Sequence, residues 1–184
     1  MKGVVFTEFM DMVEKQFSAN MVDDIIEDAE LPSGGAYTAV GTYPHGDMVA
    51  LVMALSTRSG VAVPDLLRTY GEYLFVSFAK GFPTFFKEHD DAFSFLAGIE
   101  EVIHADVRKL YPDAELPRFD VEHHDDRRLV IVYSSARHFE DLAEGLILGC
   151  IKHFGRTARL CRETIGEGEQ RRERFLLEYS CPPQ

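Results

Sequence analysis

Two groups of residues in this chain have the types and spacing to do chemistry. The first is a lone histidine, His104, within Val102-Ile103-His104-Ala105-Asp106-Val107. An imidazole on a core-facing helix can hold a metal from one side. The same residue can instead be a core histidine bonded to a carbonyl. The second group is Tyr133-Ser134-Ser135-Ala136-Arg137. Alternation along a strand would turn Tyr133, Ser135 and Arg137 to one face, as two hydroxyls and a guanidinium. That trio suits a ligand bearing carboxylates: burying their charge without partners is costly, and arginine offers a two-pronged fork. An exposed strand end with mixed polar residues is the plainer reading.

A planar apolar ligand would also need walls. Phe6, Phe9, Leu74, Phe75, Phe78, Leu142 and Leu146 recur at helical spacing, which suits such walls and ordinary core alike. Glu100, one turn before His104, reads as a solvated face residue, with a bond to the imidazole as the alternative. Other chemistry is thin. His123 and His124 are neighbours on a predicted strand, so they point apart and do not chelate one ion. No H-x-x-x-H or C-x-x-C occurs, so no zinc site is expected. Cys161 reads as a small buried hydrophobe, a redox thiol being the alternative. The absence of G-x-S-x-G, P-loop and G-x-G-x-x-G patterns removes the common hydrolase, NTPase and dinucleotide readings.

The elements that must position these residues fall into two textures. Val5, Phe9, Met12, Val13 and Phe17 predict a first helix, and a second covers Met21 to Ala29 before Pro32-Ser33-Gly34-Gly35. Asp47 reads as the N-cap of a helix ending near Gly60. Val63-Pro64-Asp65 opens another that runs to Gly81. Phe82, Pro83, Phe85 and Phe86 form a short turn. Asp91 caps what reads as the longest helix, continuous to about Tyr111, with His104 on the edge of its apolar face. After Pro117, strands are expected at Phe119–His124 and Leu129–Ser135, a helix at Phe139–Phe154, and strands at Ala158–Thr164 and Arg174–Tyr179. The class is α+β, a helical N-terminal part followed by a four-stranded antiparallel sheet.

Composition narrows the partners. At 184 residues the chain reads as one domain. A formal charge of −12 argues against nucleic acid and against an anionic membrane surface. An anionic ligand must therefore find a local cation, which raises interest in Arg137. The apolar run Met48–Leu55 is far too short to span a bilayer. Cys150, Cys161 and Cys181 are odd in number and unpaired in spacing, which suits a reducing cytoplasm.

Taken in order, these motifs resemble the H-NOX family, the haem–nitric oxide/oxygen binding domains related to the haem domain of soluble guanylate cyclase. The resemblance covers nearly the whole chain. Met1-Lys2-Gly3 and the helix after it look like the family's N-terminus, and Tyr70-Gly71-Glu72-Tyr73-Leu74-Phe75 like its haem-contacting helix. Val102–Val107 looks like the proximal-histidine helix. Pro117, thirteen residues beyond His104, matches the proline that presses on the porphyrin. Tyr133-x-Ser135-x-Arg137 matches the family's Y-x-S-x-R propionate clamp, its most specific motif.

The resemblance implies one domain, with a distal helical part at about 1–62 and a proximal part at about 63–184. Non-covalent haem b sits between them; no C-x-x-C-H is present for thioether attachment. His104 is then the axial ligand, Tyr133, Ser135 and Arg137 hold the propionates, and Pro117 distorts the ring. Val5, Phe9, Leu74, Phe78, Leu142 and Leu146 line the pocket. Oxygen-binding members carry a tyrosine five residues beyond the motif's arginine; here Leu142 stands there, and Leu74 is apolar too. Tight nitric oxide binding, weak carbon monoxide binding and little stable dioxygen binding are expected, with Tyr73 as a donor that could still reach in. The implied role is a sensor whose histidine bond weakens on binding nitric oxide. It would signal in trans to a histidine kinase or a cyclic-di-GMP enzyme. The alternatives are a dioxygen-binding sensor, a haem enzyme consuming nitric oxide, and a haem-free interaction or thiol-redox module.

Overall fold

In the computed structural model, residues 1–87 and 89–180 are described; Cys181 lies outside them. The periodic apolar residues at the start form α1 (Gly3–Gln16), which buries Phe6, Phe9, Met12 and Val13. The Ser18 side chain caps α2 (Ala19–Asp28) by accepting the Met21 N–H. The next helix, α3 (His45–Ser59), starts earlier than expected. Pro44 takes the capping position, and Asp47, read as the cap, lies buried in the first turn. Its carboxylate accepts from the Ser33 and Tyr37 hydroxyls instead. Gly60, at φ 74°, closes α3 in the left-handed conformation that glycine adopts without strain. Then α4 (Val63–Gly81) runs nineteen residues and is the longest helix described.

The helix expected from Asp91 to Tyr111 is broken. Asp91 does cap it, accepting from the Phe93 and Ser94 N–H groups. But α5 (Ala92–Ala97) gives way to a π-helical segment, Ile99–His104, and only then to α6 (Ala105–Leu110). A π turn reaches one residue further than an α turn. It therefore shifts everything after it by about 100° around the axis. Continued without that shift, the buried line of Ala92 and Leu96 would reach Ile103, leaving His104 at the edge. With it, His104 moves toward the centre of the face and is 9% exposed.

The sheet joins β1 (Arg118–His124), β2 (Arg128–Ser134), β3 (Ala158–Ile165) and β4 (Arg172–Tyr179), all neighbours antiparallel, in the order β1-β2-β4-β3. Between β2 and β3 lies α7 (Glu140–His153). The α+β class and the four-stranded antiparallel sheet are as expected.

Two apolar clusters result. One gathers α1 to α4 with Phe139 and Leu142. The other gathers α5, the inner sheet face and α7 with Phe75. Successive residues of α4, Leu74 and Phe75, fall into different clusters, so α4 and α7 form the partition between them. Their backbones touch. A Cβ on Gly145 would lie 2.1 Å from the Arg68 carbonyl oxygen, and one on Gly71 2.4 Å from that of Leu142. Among the described residues no single helix is long and apolar enough to cross a membrane.

Candidate functional site

His104 sits at the last position of the π segment, buried, with its Nδ1 2.9 Å from Glu100 Oε2. Glu100 is therefore not the solvated face residue that its spacing suggested. Its other oxygen takes a hydrogen bond from Arg108, and Oε2 also accepts the Phe119 backbone N–H at 3.2 Å. Burial pushes the Glu100 carboxyl up, but Arg108, His104 and the Phe119 amide outweigh it and leave the group below its ordinary range. An ionised carboxylate only accepts, so the imidazole proton lies on Nδ1. Burial also lowers the His104 pKa from its ordinary 6.5, against the pull of Glu100. In the neutral ring with its proton on Nδ1, Nε2 bears the lone pair. Nε2 has no hydrogen-bond partner among the described residues.

The Tyr133 trio is assembled by a turn rather than by strand alternation. β2 stops at Ser134. The Ser135 hydroxyl accepts the Arg137 backbone N–H at 3.2 Å, and His138 takes a left-handed φ of 54°. Tyr133 is buried, and burial raises its pKa against the opposing pull of Ser135 and the Phe139 amide. Arg137, largely buried, donates to the Glu115 carbonyl at 2.9 Å and to the Glu115 carboxylate. The chain's amino terminus lies close by: its pKa is lowered by burial first and by the Arg137 charge second.

Residues 115–119 connect the two groups. Glu115 is bonded to Arg137, Phe119 is bonded through its amide to Glu100, and Pro117 lies midway on this strap. The Phe119 ring stands 5.9 Å from His104 and 5.4 Å from Tyr133, centroid to centroid. The structure thus brings His104 and Tyr133 around one aromatic ring. Sequence reasoning missed Glu115 and Phe119. For Glu100 the signal was present in its i,i+4 and i,i+8 spacing to His104 and Arg108.

The expected wall residues share one cluster. Phe9, Leu74 and Leu142 are buried in it, and Val5, Phe78 and Leu146 pack against it. Two phenols of the same cluster are committed elsewhere. Tyr70 donates to the Val5 carbonyl. Tyr73, the donor that could have reached in, bonds to Asp11 and Lys15 on α1. Two further expectations are corrected or confined. Cys161 is exposed on β3, an edge strand, not buried; Cys150 is buried. His123 bonds to Asp125 at 2.7 Å, and no group of three or more metal-ligating side chains occurs among the described residues.

These residues fit haem on three counts: an imidazole whose Nδ1 is bonded and whose Nε2 has no partner among the described residues, a largely buried guanidinium, here paired with Glu115, on the same turn as the Ser135 hydroxyl, and an apolar helical wall. The family model described as Haem-NO-binding matches residues 2–160. The Fe(II) unliganded H-NOX protein of K. algicida is 39% identical, covering 99% of this chain and 98% of its own at a TM-score of 0.92. The H-NOX of Shewanella woodyi, in the Fe(II)CO state with IWP-051 bound, is 37% identical over 98% and 95%, at 0.83. An H-NOX protein of S. oneidensis in the Fe(II)NO state is 25% identical over 98% and 100%, at 0.89. No curated protein matches the chain.

Proposed function

The chain belongs to the Haem-NO-binding, or H-NOX, family of haem-binding gas sensors, and from that premise we propose that it senses nitric oxide rather than dioxygen. Ferrous haem b, held without a covalent link, would supply an iron able to bind a diatomic gas. His104 would offer Nε2 to the iron, with Glu100 fixing its tautomer. Arg137, with the Tyr133 and Ser135 hydroxyls, would neutralise the propionates. Pro117 would press on the ring from its strap. Val5, Phe9, Leu74, Phe78, Leu142 and Leu146 would exclude water.

The observation that carries the choice of gas is the apolar wall. Bound dioxygen carries partial negative charge and gains from a donor, whereas nitric oxide needs one much less. The wall offers Leu74 and Leu142, and Tyr70 and Tyr73 already donate to Val5 and Asp11. Carbon monoxide would bind weakly. The same wall carries no acid–base pair of the kind that a haem enzyme turning over nitric oxide would use, so the reading is a sensor. On binding nitric oxide, His104 would leave the iron and free the segment that bears it. A separate partner, a histidine kinase or a cyclic-di-GMP enzyme, would then discriminate the two states. The division into a distal part at 1–62 and a proximal part at 63–184, and a cytoplasmic location, belong to this proposal.

The test is the absorption spectrum of the dithionite-reduced protein, before and after nitric oxide and then under air. Nitric oxide should move the Soret band to the position of iron without an axial histidine, and air should give no stable complex. A stable spectrum in air would overturn the choice of gas. No Soret band after haem reconstitution would overturn haem binding and favour the haem-free module.

A further inference from the structure

Glu100 makes more contacts than a tautomer-fixing carboxylate needs. One oxygen serves two elements at once: the imidazole of His104 at 2.9 Å and the Phe119 amide at 3.2 Å. The other oxygen is bonded to Arg108 on α6. Three pieces of chain therefore meet at this side chain: the π segment, the strap ending at Phe119, and the helix after His104. It is about a quarter exposed and faces a groove of about 540 Å³ that Arg108 and Phe119 also line. The strap's other end, Glu115, is bonded to Arg137.

Resting on the reading of His104 as the iron ligand, we propose that Glu100 is a positioning residue with two separable jobs. Its charge strengthens the donor power of His104 toward iron, and its second hydrogen bond ties the imidazole to the strap that carries Pro117. The first job follows from chemistry. A carboxylate accepting the Nδ1 proton pushes electron density toward Nε2, and outer contacts of this kind tune ligand basicity. The guanidinium of Arg108 draws on the same carboxylate and so opposes that push. The second job follows from connectivity. Any movement of the imidazole must either pull the Phe119 amide with it or break a bond to a charged acceptor, of the stronger kind. Release of His104 would thus be felt at Pro117 and, through Glu115, at Arg137.

The two jobs separate by substitution. Glu100→Gln keeps an accepting oxygen and removes the charge; Glu100→Ala removes both. In the ferrous haem-loaded protein, resonance Raman should find the iron–histidine stretching band at lower frequency in both variants, and lower in Glu100→Ala. Arg108→Ala should move it the opposite way, to higher frequency, a reversal of sign that a merely structural role would not give. In the haem-free protein, amide exchange at Phe119 should quicken more than tenfold in Glu100→Ala, the worth of one lost hydrogen bond to a charged group, ~1.5–3 kcal/mol. In Glu100→Gln, which keeps a neutral acceptor, it should quicken much less. A band abolished by His104→Ala yet unmoved in Glu100→Gln and Arg108→Ala overturns the electronic job. Unchanged Phe119 exchange in Glu100→Ala overturns the tie. A band that survives His104→Ala overturns the ligand reading itself, and this proposal with it.

Discussion

Two helical regions of this molecule are built on opposite terms. α4 runs unbroken for nineteen residues and crosses α7 with backbone against backbone. The region bearing His104 is three pieces of six residues each, the middle one π-helical. Helices this short have little stability of their own. This one is held by the Asp91 cap, by Phe93 stacked on Tyr179 at 3.8 Å, and by the bonds around Glu100. The first region can act as a fixed frame, because α4 and α7 cannot slide without steric conflict at Gly71 and Gly145. The second can change shape by exchanging a few polar contacts. A sensor needs both: a wall that holds its ligand in place, and a ligand carrier free to respond.

The largest expected effect tests the carrier. His104→Ala should abolish haem retention and leave the frame folded, because no wall contact depends on the imidazole. Haem stoichiometry and thermal unfolding of the haem-free protein check the two halves, and added imidazole should restore the haem. Haem content equal to wild type would remove His104 from the site. The frame is tested by Gly145→Val. A side chain there meets the Arg68 carbonyl at 2.1 Å, and backbone cannot step aside as a side chain can. The cost should reach ~3 kcal/mol, the upper end for overpacking, read by urea unfolding. A loss under about 1 kcal/mol would mean that the crossing yields and the contrast fails.

Arg137→Ala comes next, because Arg137 is bonded to Glu115 and, on the proposed reading, would also hold the propionates. It should weaken haem retention by ~1.5–3 kcal/mol, the range for hydrogen bonds to charged groups, seen as a faster transfer of haem to an acceptor protein. An unaltered off-rate would confine Arg137 to holding Glu115.

Much of this arrangement was legible in the sequence. Caps and breakers at Gly60, Pro64 and Asp91 report local backbone chemistry, so those element boundaries follow from short stretches. The strand alternation expected to align Tyr133, Ser135 and Arg137 does not extend to them, since β2 stops at Ser134 and a turn follows in which the Arg137 N–H bonds to Ser135. The π segment was not read, and the cause is physical. Periodicity averages over a window, and one residue of extra reach changes phase without changing composition. The trace it leaves is a conflict between two stripes, one through Ile99 and Ile103 and one through His104, on what reads as a single helix. Cys161 was misplaced because an edge strand shows the same alternation as a central one. Which strand lies at the edge depends on pairing between distant segments.

The smallest effect sharpens the contrast most finely, because it puts the same kind of residue in the two regions side by side. Gly98 precedes the π segment as Gly145 lies at the α4–α7 crossing, yet a side chain there makes only ordinary van der Waals contacts. A Cβ there would meet nothing nearer than 3.6 Å, and its φ of −88° suits any residue. Gly98→Ala should therefore stabilise the protein by ~0.4–1 kcal/mol, by restricting the unfolded chain. The sign is opposite to that of Gly145→Val, and haem content should not change. If Gly98→Ala instead destabilises the fold, clearance for a Cβ is not the same as tolerance of one. The glycine would then be supplying backbone freedom that the π segment needs to bring His104 inward, and the carrier would be strained rather than merely loose. Urea unfolding gives the sign, and haem stoichiometry shows whether His104 has turned away.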